Sequence, residues 1–223
     1  MKKLLTMTTA AAGLAVLMAG PAMASPLNTG ITLTVWHGPA AGPGSDSGRE
    51  SEQALPSAAT VLPSFGNTTY TGGINFSLPS GTNTIGSFLG TNTSGAVAAP
   101  GGSAAVTLST GGFTDATLMR FTFNLPTATT GTITHDDGIS IYTAGNTTTN
   151  LLPGFSAPTS VTSTSFSLAA GNYDLYYSEV NGLPAVLTFD VLTRATVPEP
   201  VSMALLGTGL LGLGLVRRRT GRA

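Results

Sequence analysis

Residues 131–142 read GTITHDDGISIY, and the fold is decided there. Ile133 sits between Thr132 and Thr134 on the way in. Ile139, Ile141 and Tyr142 follow on the way out, and Asp136-Asp137-Gly138 stands between the two runs. Period-two alternation with β-branched residues marks half-buried strands, and an Asp-Gly step marks a break between them. Upstream, residues 117–125 place Leu118, Arg120, Thr122 and Asn124 on one parity and Met119, Phe121, Phe123 and Leu125 on the other, until 126–130 break the run. Downstream, 163–168 form another strand and Ala170-Gly171-Asn172 a turn. Residues 173–180 alternate up to Asn181-Gly182, a strong tight-turn dipeptide, and 187–192 close the set. Many short strands with turn signals and no amphipathic helix predict an all-β body, an antiparallel β-sandwich.

Further upstream the pattern loosens. Residues 25–112 are rich in Gly, Pro, Ser and Thr, yet keep strand-like islands. Ile31, Leu33 and Val35 alternate with Thr32 and Thr34 in 30–36. Residues 75–78 and 85–89 are shorter islands, 39–53 is a turn-rich loop, and 90–103 a flexible one. No fixed-period repeat appears, which argues against a solenoid.

Composition narrows the function. Charged residues make up 9% of the 223, against roughly 25% in an ordinary soluble domain. Between residues 25 and 196 three arginines (Arg49, Arg120, Arg194) face nine acids, a net charge of −6. An acidic body repels phosphate backbones, so nucleic acid is not an expected partner. With no cysteine, disulfides and thiolate metal sites are excluded. The only lysines are Lys2 and Lys3, and no Gly-x-Ser-x-Gly, His-Glu-x-x-His or phosphate loop occurs. The expected protein is therefore not an enzyme. One arrangement stays open, a carboxylate-pair glycan hydrolase using Asp136 with Asp174 or Glu179.

The two ends carry addresses. Residues 1–24 have a Lys2-Lys3 n-region, an apolar run and Ala22-Met23-Ala24, a small-x-small pattern that predicts a signal peptide cleaved before Ser25. At the other end come Val197, Pro198, Glu199 and Pro200, an apolar stretch over 201–216, and Arg217, Arg218 and Arg219. The stretch spans about 24 Å as a helix, and the arginines act as a stop-transfer cluster on the cytoplasmic side. This predicts a signal helix at 1–24, a body at 25–195 (best supported over 113–193), and a tail at 196–223 with a single transmembrane helix in the inner membrane.

The tail resembles the PEP-CTERM sorting signal. That resemblance implies recognition by an exosortase-type transpeptidase near Pro198-Glu199-Pro200, and sorting to the envelope or an exopolysaccharide matrix. In the body, residues 131–142, 168–182 (LAAGNYDLYYSEVNG) and 185–189 (AVLTF) resemble the protective-antigen-type domain, a lectin-like β-sandwich shared with flocculin-type adhesins. The resemblance implies a glycan bound at one end of the sandwich, often through calcium. It implies an Asp136–Asp137 pair joined by a cis peptide, with Asn181 as partner and Glu179 as an extra oxygen. This chain departs from the flocculin pattern in having no disulfides and no evident sugar-specificity insert.

Adjacent carboxylates repel unless solvated or bridged by a cation, and calcium takes six to eight oxygens. The bland alternatives are that Asp137-Gly138 is only a turn and Asn181-Gly182 only a hairpin. Trp36 is expected as a core or sheet-edge aromatic. Arg120 is expected to pair with a nearby acid. A zinc site would need His37 and His135 to meet. The expected function is an exported surface or matrix protein that binds carbohydrate, with a purely structural matrix component as the alternative.

Overall fold

The computed structural model describes residues 24–26, 30–39, 54–112, 114–152 and 160–192. Ala22, the sorting motif, the 201–216 stretch and Arg217–Arg219 lie outside the described residues. Among the described residues no helix is long and apolar enough to cross a membrane.

Among the described residues ten strands follow in order: β1 (Ala24–Pro26), β2 (Gly30–Pro39), β3 (Ser64–Thr71), β4 (Asn75–Leu78), β5 (Asp115–Leu125), β6 (Thr129–Asp136), β7 (Gly138–Thr143), β8 (Thr162–Leu168), β9 (Gly171–Glu179) and β10 (Ala185–Leu192). Two short helices, α1 (Ala58–Val61) and α2 (Ile85–Gly90), and a 3₁₀ turn at Pro100–Ala105 fall between β2 and β5. Ala24 and Ser25 thus belong to β1, where Ser25 pairs with Val191.

All strand pairs are antiparallel. One sheet runs β1-β10-β6-β8, with β4 also paired to β10; the other runs β3-β2-β5-β9-β7. The inward parity of β2, β5, β9 and β10 is largely apolar, as period-two patterning requires. Ile31, Leu33 and Val35 meet Phe121, Phe123, Leu175, Ile133, Phe166, Leu187 and Phe189 in one core between the sheets. Aromatic stacking tightens it: the Phe166 and Phe189 rings lie 4.6 Å apart and Phe88 lies 5.6 Å from Tyr177. This is the all-β antiparallel sandwich expected.

Several expectations change. Residues 85–89 are not strand but the helix α2. Thr84 accepts a bond from the Ser87 N–H, capping the first turn. Ile85, Phe88 and Leu89 then fall on one buried face at helical spacing. The 90–103 loop tightens into the 3₁₀ turn at its end. β3, with mostly exposed Ser, Asn and Thr, lacked an apolar alternation to reveal it. Asn181-Gly182 is not a hairpin turn. β9 and β10 lie in different sheets, so the dipeptide carries the chain across the sandwich, with Gly182 at φ +90°, where a side chain would be strained.

The outer face of the β3-to-β7 sheet is covered as well. Trp36, Leu118, Tyr142 and Tyr176 pack beneath Ala54, Ala58 and Leu62. Trp36 is therefore a core aromatic. Among the described residues Arg120 bonds no acid: its guanidinium lies over the Trp36 ring at 5.4 Å and donates to Thr34 Oγ1 at 3.2 Å.

Candidate calcium and ligand site at the sandwich end

β6 and β7 lie in different sheets with Asp137 alone between them. A single connecting residue forces the chain to turn from one layer into the other at once. Asp136 and Asp137 therefore sit at the end of the sandwich, where the β9-to-β10 crossing also passes. The two crossings are tied together: Val180 N–H donates to Asp137 Oδ2 at 3.0 Å. The Asp136–Asp137 peptide is cis.

Both carbonyls of the pair are held from below. His135 is buried, which lowers its pKa below the usual imidazole value and favours the neutral ring. The Asp137 carbonyl, 2.7 Å from His135 Nδ1, can only accept, so Nδ1 carries the proton. Nε2 then accepts from Thr164 Oγ1 at 3.0 Å. The Tyr177 hydroxyl donates to the Asp136 carbonyl and lies 2.7 Å from Glu179 Oε2. Tyr177 has one proton, and the carbonyl needs it. The remaining proton between Tyr177 and Glu179 must come from Glu179. That assignment agrees with the Glu179 carboxyl, which burial and then the charge of Asp137 push up to about 9.

The chain of bonds continues. Ser109 Oγ donates to Glu179 Oε1 at 3.1 Å and accepts from the Gly182 N–H at 2.9 Å. One unbroken series of hydrogen bonds thus runs from the 180–182 crossing through Ser109, Glu179 and Tyr177 to the backbone of Asp136. Asn181 itself is exposed, with its Oδ1 3.4 Å from the Gly112 N–H. Burial and the neighbouring Asp137 raise the Asp136 carboxyl to about 6, and the two carboxyls are hydrogen-bonded to each other. Two like charges within bonding reach share a proton when no cation divides them.

The donor chemistry fits a hard divalent cation. Asp136 and Asp137 offer carboxylate oxygens and Asn181 an amide oxygen on the adjoining crossing, all oxygen ligands of the kind calcium takes. Among the described residues no three His, Asp or Glu side chains gather as a metal cluster. Backbone carbonyls, water or a ligand's own hydroxyls would have to complete the shell. Both Glu179 oxygens are occupied by Tyr177 and Ser109.

Of the two carboxylates considered as hydrolase partners for Asp136, Asp174 lies away from it, while Glu179 lies beneath the pair, buried and bonded to Tyr177 and Ser109. Asp174 accepts from Thr122 Oγ1 and from the Gly145 N–H, and shares the outward parity of Tyr176 on β9. It is opposite Tyr142, while Gly138 is opposite Ser178. The four-residue offset is roughly 13 Å along the strand. His37 lies on β2 with Nδ1 bonded to Thr117 Oγ1 at 3.0 Å, in the other sheet from His135.

Ser109 and Tyr177 were not singled out in the sequence. Tyr177 belongs to the inward parity of 173–180, so its burial could be read, but not the partners at its hydroxyl. Ser109 is 70 residues from Glu179, and no local signal links them.

Residues 196–219 match the PEP-CTERM protein-sorting motif. The motif indicates export and sorting to the cell envelope, which fits the order of charges and apolar residues at the two chain ends. No curated protein sequence matches the chain. Among the solved structures similar to it are two PA14 domains. One is a PA14 sugar-binding domain from an RTX adhesin, at 17% identity and a TM-score of 0.42, covering 74% of this chain and 88% of that one. The other is the PA14 domain of the antifreeze protein MpAFP, at 16% identity and a TM-score of 0.42, covering 81% and 90%.

Proposed function

We propose that this exported, envelope-sorted protein binds carbohydrate at the sandwich end, through a calcium ion held by Asp136, Asp137 and Asn181. The observation that carries the reading is the junction of the two sheet crossings, tied by Val180 N–H to Asp137 Oδ2 at 3.0 Å. It brings the paired carboxylates beside the Asn181 loop, on a base whose backbone carbonyls are already committed. Rigid support of this kind keeps ligand atoms in place before anything binds. Calcium there would neutralise the two like charges and offer open positions to hydroxyl pairs of a sugar. Glu179 serves as buried support beneath the site. In this reading the protein is not an enzyme. An exosortase-type transpeptidase acts at Pro198-Glu199-Pro200, and the 201–216 helix holds the chain in the inner membrane until then. Polysaccharide of the envelope or matrix is the partner.

A second reading, a structural matrix component without a specific ligand, is favoured by one feature. On the β6 and β8 strands, Thr130, Thr132 and Thr134 stand opposite Ser167, Ser165 and Ser163, a polar and largely exposed rank suited to hydration.

Calorimetric titration with calcium, followed by a glycan array in calcium and in chelator, separates the two. The expected result is calcium binding that Asp137→Ala and the exposed Asn181→Ala each weaken at least tenfold, with glycan binding lost in chelator. Equal null heats for all three proteins would remove the calcium site. Calcium binding with a blank array would favour the structural reading.

A further inference from the structure

Away from the sandwich end, a pocket of about 520 Å³ opens on the outer side of the β3-to-β7 sheet, near the start of α1 and the 147–150 loop. Its size is within the range of small-molecule sites, roughly 300–1,000 Å³. Tyr142, Leu55 and Pro56 supply the apolar part of its lining, and Ser57, Thr147 and Asn150 the polar part. Tyr142 is four residues along β7 from Gly138, roughly 13 Å, so the pocket is separate from the Asp136–Asp137 site.

Three features suit it to recognition. The first is a fixed donor. Asn150 Oδ1 accepts from the Ile141 N–H and the Leu152 N–H, each at 3.1 Å, which locks the side-chain amide and leaves its NH₂ group as the free hydrogen-bonding end. The second is an uncommitted hydroxyl. Ser57 stands at the cap position of α1 but makes no side-chain cap bond. The third is a rigid aromatic: Tyr142 is held edge-to-face against Tyr176, ring centroids 5.9 Å apart. Among the described residues that line the pocket there is no Asp, Glu, Lys, Arg or His.

A ligand must match that chemistry. The described lining residues offer a phosphate or an ammonium group no ion pair to offset its desolvation. A neutral sugar presents a C–H face to the half-buried Leu55 and hydroxyls to amide and hydroxyl groups. We propose that this pocket binds one residue of a neutral glycan, without calcium, as a second subsite independent of the sandwich end.

The test is saturation-transfer NMR on the purified full-length protein, in chelator, with a panel of neutral hexose and N-acetylhexosamine oligosaccharides. Chelator silences the calcium-dependent site, so the two proposals fail separately. Asn150→Asp keeps both backbone bonds at Oδ1 but replaces the NH₂ donor with a carboxylate. Ser57→Trp fills the pocket from the half-buried start of α1. Saturation transfer to at least one oligosaccharide is expected, with affinity falling at least tenfold in both variants. No transfer to any oligosaccharide in chelator would overturn the proposal. So would transfer that neither variant changes. Circular dichroism matching the parent shows that each variant is folded.

Discussion

At the scale of single residues, Glu179 is the most consequential acid that does not face solvent. It is fully buried, and its carboxyl, raised to about 9, keeps its proton where an unfolded chain would release it near 4.5. The folded state then binds more protons than the unfolded state between those values, so stability falls as pH rises through that window. The slope is at most about 1.4 kcal/mol per pH unit. Gln at 179 can repeat both bonds: Oε1 accepts from Ser109, and Nε2–H donates to the Tyr177 oxygen. Glu179→Gln is expected to fold and to show a flatter melting-temperature profile from pH 6.5 to 8.5 in chelator. Most of that range lies above the Asp136 value of about 6, and Asp136 is present in both proteins. Thermal melts across the range check it, and parallel profiles for the two proteins would mean that Glu179 is ionised in the fold.

The elements show how tightly the layers fit. β6 is central, with β10 on one side and β8 on the other, and Gly131 lies at a point where there is no room. A Cβ there would come within 2.1 Å of the Asp190 carbonyl oxygen and 2.6 Å of the Phe166 ring. The ring can turn, but the carbonyl belongs to a paired strand and cannot move without breaking register. Gly131→Ala is expected to destabilise by about 1–3 kcal/mol, the usual range for overpacking, measured by urea unfolding. The same substitution at Gly30, where nothing lies within 4 Å, is the control and should cost much less. The helix α2 depends on the Thr84 cap, and its three apolar residues reach the core only because the cap turns the chain at that point.

For the whole molecule, the body and the C-terminal address are separable in sequence. Removal of 196–223 takes away the entire matched motif but none of the described strands. The truncated protein is expected to be exported and then released to the medium, whereas the full chain stays with the envelope. Fractionation of cells expressing each form checks this. Retention of the truncated form in the envelope would place the address elsewhere in the chain.

Much of this was legible in the linear order of residues. Period-two alternation identified β2 and β4 through β10, because each inward side chain must meet the same core. The Asp136–Asp137 break stood out, because two adjacent acids between apolar runs have few uses. The sorting motif was readable because order and spacing along the chain are its whole content. Tertiary structure alone decided the rest. It made Asn181-Gly182 a crossing between sheets, because strand partners are set by the packing of distant residues and the local turn signal is the same either way. It joined Ser109 to Glu179 across 70 positions, turned 85–89 into a helix against the core, and set Arg120 on Trp36. Contacts between remote parts of a chain leave no local pattern, and the candidate sites are built from such contacts.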